Sequence, residues 1–271
     1  MPYWAHMGTF LGYFERLSYL LSQGQLACDV AVIYPVAPYE AEMDGDRARD
    51  AAFDIGRRLL TAGINFEFID NDSLARATVV NDRLVVASAG ASYRALVFPN
   101  MAAVRSATIE KAAVFTKAGG HVYVVGTMPQ ASDGAGRDDA TLTALNNSTF
   151  KPECRLSQPA DAVEAIRTAF LHDVRGIDQT VRALHRRAGP RDIYMVMDAR
   201  KNSVVEFRAK GAVELWDPWT GSTRPLRVVA ETDTGTQVEL PLESYEAQVV
   251  VFTPGQKHVN PPVQHATAPV V

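Results

Sequence analysis

Asp29-Val-Ala-Val-Ile-Tyr34, closed by Pro35, decides the fold. Its four central residues are apolar without alternation, so the run has no polar face to offer water. It reads as a strand covered on both sides. Working outward, similar runs recur with helical stretches between them. Residues 46–62 carry Ala48, Ala52, Ile55 and Leu59 on one face, with Asp46 as the N-cap and Gly63 as the stop. Residues 65–69 read as a second strand, closed by the polar stretch Asp70-Asn-Asp-Ser73. Residues 77–80 and 83–87 pair across an Asn81-Asp82 turn. Residues 94–98 form the next buried strand. Ser106 caps a helix to about Ala118, with Ile109, Ala112, Ala113 and Thr116 inward, and Gly119-Gly120 stops it. His121-Val-Tyr-Val-Val125 is a further strand, residues 127–139 read as a loop, and residues 161–171 as a last helix with Asp161 and Glu164 spaced as a capping box. This alternation predicts an α/β domain: a flavodoxin-like (class I amidotransferase-like) doubly wound parallel sheet.

On either side the grammar differs. Residues 9–23 place Phe10, Tyr13, Phe14, Leu17, Leu20 and Leu21 at helical steps before Gly24. Beyond residue 177 the helical period gives way to short strand candidates at 181–187, 192–197, 203–207, 213–216, 224–229, 237–242 and 247–252. Turn signals such as Gly189-Pro190 and Asp217-Pro218 separate them, which predicts a small antiparallel β-sandwich. The expected organisation is a linker helix at 1–26, a flavodoxin-like domain at 27–175, a β-sandwich at 176–255 and a flexible tail at 256–271.

Composition narrows the function. Of 271 residues, 47% are hydrophobic and 21% charged, and the net charge is −4. No cluster of Lys and Arg alternates with aromatics, which argues against nucleic acid. No apolar run approaches the roughly 20 residues that span a bilayer, which argues against a membrane. Met1-Pro-Tyr-Trp4 lacks the basic and apolar regions of a signal peptide. Cys28 and Cys154 show no zinc spacing, and two buried free thiols are favoured over one disulfide.

Open α/β sheets bind ligands beyond the carboxyl ends of their strands. The loop after the first strand, residues 35–44, contains Tyr39, Glu40, Glu42 and Asp44 and two prolines. Its acids and missing amides argue against a flavin phosphate. Asp70 and Asp72 follow the second strand. These carboxylates suit a cation or sugar hydroxyls, or they cap helices and face water. Neither cysteine lies on a strand-to-helix elbow, GxSxG is absent, and Gly134-Ala-Gly136 lacks the third glycine of a dinucleotide loop. His185 and Arg186, on a strand, read either as anion or sugar contacts or as ordinary alternating polar residues. The candidate binding residues are therefore Tyr39, Glu40, Asp70, Asp72, His185 and Arg186. No catalytic or metal-ligating residue stands out.

Several phrases resemble the region after the catalytic barrel in glycoside hydrolase family 106, the α-L-rhamnosidases. They are Pro2-Tyr-Trp, Tyr13-Phe-Glu-Arg-Leu-Ser-Tyr-Leu-Leu-Ser-Gln-Gly24, Asp29 to Pro35, Phe66-Glu-Phe-Ile-Asp70, Tyr93 to Asn100 and Gly119 to Gly126. His185-Arg-Arg with Asp192-Ile-Tyr194, and Glu214-Leu-Trp-Asp-Pro-Trp-Thr-Gly221, complete a match over roughly residues 2 to 254. The resemblance implies inverting hydrolysis at a terminal rhamnose by carboxylates on a (β/α)₈ barrel, with Ca²⁺ in the full-length family and a periplasmic or secreted location for full-length homologues. A barrel takes about 250 residues, and the α/β and β regions already occupy nearly all of this chain, so no barrel carboxylate is carried over. The expected role is a non-catalytic accessory region without a cofactor, bracing a separate barrel. A carbohydrate-binding or self-associating module is the alternative, and a redox or amidotransferase enzyme a third.

Overall fold

The computed structural model describes residues 3–134, 136–137, 140–177, 180–200, 202–241 and 247–262. It divides into two compact units, one of residues Gln25–Asp173 and one of Met1–Gly24 with Val174–Val271. The first helix, α1 (Met7–Ser22), belongs to the latter.

In the α/β unit, β1 (Val30–Ile33), β2 (Phe66–Ile69), β3 (Ala95–Pro99), β4 (His121–Val125) and β5 (Arg155–Leu156) form one sheet in the order β5-β4-β3-β1-β2. All its pairings are parallel. Side chains alternate across a strand, so each strand supplies both faces. Ala31, Ile33, Leu96 and Phe98 enter one buried cluster, while Val30, Val32, Ala95 and Val97 enter the other. Each fully buried aliphatic side chain contributes roughly 1.5–3 kcal/mol, which explains why β1 tolerates no polar residue.

The helices are α2 (Val36–Glu40), α3 (Gly45–Thr61), α4 (Asn71–Arg76), α5 (Ser106–Lys117), α6 (Ala140–Thr149) and α7 (Pro159–Ala169). α3 and α7 cover one face through Ile55, Leu59, Ala162 and Ile166. α5 and α6 contribute Ile109, Ala112, Phe115 and Leu142 to the other. Three starts differ from the expectation. Position 44, not 46, precedes α3, and Asp44 has a left-handed φ of 54° without a side-chain cap bond. α5 begins after Arg105 rather than on a Ser106 cap. The capping box of α7 pairs Gln158 with Asp161, one turn before the expected pair, with Pro159 in the first turn.

The β unit continues with β6 (Val174–Gly176), β7 (Arg182–Ala188), β8 (Arg191–Met197), β9 (Ser203–Phe207), β10 (Ala212–Trp216), β11 (Thr223–Pro225), β12 (Arg227–Glu231), β13 (Thr236–Leu240) and β14 (Gln248–Thr253). One antiparallel sheet runs β7-β8-β14-β10-β11 and the other β6-β9-β13-β12. Tyr194, Val213, Val250 and Phe252 of the first share a buried cluster with Val205, Phe207, Val238 and Leu240 of the second.

The opposite face of the first sheet presents Ile193, Val249 and Val251, and Leu17 and Leu20 of α1 pack there. The helix read as a linker is thus docked on the β unit. Gly24 ends it with φ 57°, and a Cβ there would lie 1.9 Å from the Arg187 carbonyl oxygen, so glycine is required. Part of the expected tail is also tied down. The Asn260 carboxamide accepts from Val228 N at 2.7 Å and donates to Val228 O at 3.1 Å, beside the register shift in β12. Residues 263–271 of that tail, Leu242 of a strand candidate and Ala135 of the Gly-Ala-Gly stretch lie outside the described residues. Among the described residues, no helix is long and apolar enough to cross a membrane.

Candidate functional site

The loops beyond β1, β2 and β3 bring some of the candidate residues together. The stretch read as a loop after β1 contains α2, so Tyr39 and Glu40 sit at a helix end. The Tyr39 hydroxyl donates to Asp46 Oδ1 at 2.7 Å, a bond that pushes its phenol pKa up. A Cβ on Gly45 would lie 2.5 Å from the Tyr39 ring, so the absent side chain lets the ring rest on the start of α3. Asp70 caps α4. Its Oδ1 accepts from Ser73 N at 2.8 Å and its Oδ2 from Ser73 Oγ at 2.6 Å, and these bonds hold the carboxyl below its usual range.

Glu40 and Asp72 meet at one guanidinium. Arg105 Nη2 lies 3.1 Å from Glu40 Oε1 and Nη1 3.3 Å from Asp72 Oδ1. Next to it, Asp133 Oδ1 accepts from Ser106 N at 2.7 Å and Ser106 Oγ at 2.9 Å, which supplies the cap of α5 from a distant loop. The Ser106 amide is the main cause of Asp133's lowered pKa. Arg105 and Asp133 escaped the sequence reading because no local periodicity marks them. Both acids at Arg105 are exposed and already paired with a cation. Among the described residues, no group of three or more His, Cys, Asp and Glu is arranged to hold a metal ion.

Beyond β4 and β5 lies a cleft of about 630 Å³, whose walls include Arg47, Asp54, Asn100, Thr127, Ser157 and Gln158. Asn100, at φ 52°, turns its carboxamide so that Oδ1 accepts from Thr127 N at 2.8 Å.

The other two candidates are in the β unit. Alternation along β7 puts His185 on the covered face, fully buried, with Nε2 2.8 Å from Asp192 Oδ1 and the ring stacked on Tyr194 at 4.1 Å. Arg187 Nε also reaches Asp192, at 3.2 Å. Burial works to raise the Asp192 pKa, and His185 and Arg187 together outweigh it, leaving it lowered. Arg186 points the other way. Its Nε donates to Gln23 O at 2.7 Å and its Nη2 to Gly24 O at 2.9 Å, anchoring the carboxyl end of α1.

This unit also holds a cleft of about 610 Å³ bordered by Tyr13, Trp216, Trp219 and Arg224. Tyr13 stacks on Trp219 at 4.0 Å, and Arg16 Nη1 donates to the carbonyls of Pro218 and Trp219 at 3.2 and 3.1 Å.

Cys28 and Cys154 are free and buried. Burial pushes both thiol pKa values up, reinforced at Cys28 by Glu67. Neither is activated as a nucleophile.

The model of glycoside hydrolase family 106, α-L-rhamnosidase, matches residues 2–229. The chain belongs to that family. It is 23% identical over 265 residues to a Formosa agariphila protein assigned as a β-glucuronidase, covering 94% of this chain and 22% of that one. A solved rhamnosidase from Novosphingobium sp. PP1Y superposes with a TM-score of 0.71 at 22% identity, covering 97% of this chain and 26% of that one. A β-galactosidase from Bacillus circulans sp. alkalophilus gives a TM-score of 0.55 at 11% identity, over 89% of this chain and 44% of that one. The two structural likenesses concern the fold. This family 106 chain spans about a quarter of the length of the rhamnosidase and of the curated relative.

Proposed function

We propose that this family 106 chain is an accessory region of an α-L-rhamnosidase-like glycoside hydrolase, bracing a separate catalytic barrel rather than cleaving glycosides itself. The observation that carries the reading is α1. Docking on the β unit accounts for Leu17 and Leu20. It leaves Leu11 58%, Phe10 49% and Phe14 45% exposed, and Trp4, just ahead of the helix, is 71% exposed. Apolar side chains gathered on one surface in this way mark interaction sites.

The acids support the same reading. An inverting glycosidase needs two carboxyls roughly 6.5–9.5 Å apart with a sugar between them. Here Asp70 caps a helix, Glu40 and Asp72 share Arg105, and Asp192 holds a buried histidine. A catalytic barrel takes about 250 residues of its own. We read the α/β unit as flavodoxin-like, supported by a parallel order in which the first and second strands are exchanged before the third, fourth and fifth. The two antiparallel sheets around one cluster support the β-sandwich reading.

The test is incubation of the chain with an aryl α-L-rhamnoside at neutral pH. No turnover above blank is expected, and hydrolysis that scales with protein concentration overturns the reading. Gel filtration of the same sample separates a brace, which elutes as a monomer, from a self-associating module.

A further inference from the structure

We propose that the aromatic cleft of the β unit is a binding site for a pyranose of the 6-deoxyhexose class. The pyranose part rests on the cleft alone. The 6-deoxy part rests on the family reading above.

Sugars present a C–H-rich face to an aromatic ring and hydroxyls at their edge, so their sites pair an exposed ring with donors and acceptors. Trp219 remains 49% exposed although Tyr13 stacks on it at 4.0 Å. The turn that carries the indole is also held in place. Asp217 Oδ1 accepts from Trp219 N at 2.8 Å and Oδ2 from Thr220 Oγ1 at 2.7 Å, and Arg16 binds the two carbonyls of the same turn. A platform fixed before binding loses little freedom on binding.

The polar partners are on the same walls. Arg224 borders the cleft, and its side chain is engaged in no hydrogen bond or ion pair among the described residues. Gln248, also on the wall, has a buried Oε1 with no partner, while its Nε2 reaches only Pro241 O at 3.4 Å. A buried acceptor without a donor is costly, and a turn of this carboxamide toward the cleft would let a ligand hydroxyl satisfy it. The volume, about 610 Å³, falls within the range of small-molecule sites. A 6-deoxyhexose presents a methyl group where other hexoses carry a hydroxymethyl group, and an indole accepts a methyl more readily than water does.

Saturation-transfer NMR on the full chain, with L-rhamnose, D-glucose and D-galactose as separate probes, tests the site. L-rhamnose is expected to receive saturation most strongly at its methyl and ring C–H protons. Trp219→Ala should weaken binding at least about tenfold. Arg224→Ala should weaken it about three- to tenfold. The Arg224 side chain is exposed and makes no hydrogen bond among the described residues, so that variant keeps the far-UV spectrum of the parent. No transfer to any of the three sugars, or transfer undiminished in both variants, overturns the site. Equal binding of all three overturns the 6-deoxyhexose assignment. Hydrolysis of an aryl rhamnoside would sink the brace and leave these results standing.

Discussion

At the carboxyl end of the parallel sheet, Glu40 and Asp72 share Arg105 in full view of water. In the β unit, Asp192 and Glu206 are drawn beneath the surface. One is held by buried His185 and by Arg187, the other by Arg175, Thr232 and Thr234. The chemistry of the pairs is alike and the solvent is not. An exposed pair exchanges water for a partner at nearly equal cost, whereas a buried group that loses a partner has no water to take its place. Glu40 and Asp72 therefore shape a surface, whereas Asp192 and Glu206 tie together buried parts of the β unit.

The largest effect should come from removing the acid that faces buried His185. Asp192→Ala removes the carboxylate at 2.8 Å from a ring with no solvent access. We expect a loss of about 3 kcal/mol in unfolding free energy. Urea denaturation followed by tryptophan emission measures it cleanly, because Trp4, Trp216 and Trp219 all belong to the β unit. A loss below about 0.5 kcal/mol, the size of an ordinary surface change, would break the comparison.

Acid provides the next test. Asp192 and Glu206 are both held below their ordinary values of 3.8 and 4.5. Burial opposes this, and hydrogen bonds with the neighbouring cations and hydroxyls outweigh it. A carboxylate whose folded pKa is depressed binds fewer protons folded than unfolded. Its contribution is complete above the unfolded value and is lost as pH falls through the folded one. The urea midpoint read by tryptophan emission should hold steady from neutrality to about pH 5 and decline steadily below pH 4. A midpoint that stays level down to pH 3 would show that these two pairs contribute nothing.

Much of this architecture was legible in the order of residues, and the rest required topology. Val30-Ala-Val-Ile33 announces a strand buried on two faces because no residue in it can face water. The inward face of α5 was equally plain, since Ile109, Ala112, Ala113 and Thr116 recur at helical steps and all are buried. The single turn of α2 was hidden by Pro35 and Pro38. Proline fits the first turn of a helix, where its missing amide costs nothing, so it did not exclude one. α4 was hidden by its length, because Asn71–Arg76 is too short to show a period, although Asp70 is a good cap for it. The candidate site suffered most. Arg105 draws its partners from 33 and 65 residues away, and Arg186 anchors a helix end 163 residues upstream. No window along the chain contains either pairing.

Arg105 gives the smallest and sharpest prediction. Arg105→Ala frees both Glu40 and Asp72, yet all three side chains are already exposed and their charges screened. The loss in stability should stay within about 1 kcal/mol, read by circular dichroism of the helices. The charge balance changes more than the stability does. Two carboxylates left without their cation make this end of the sheet a local anionic patch, so the small loss should shrink further in added salt as their repulsion is screened. The Asp192→Ala loss, set in a ring that water does not reach, should hardly respond to salt. Matching salt dependences for the two variants would mean that burial does not separate the units as argued, whatever the absolute size of either loss.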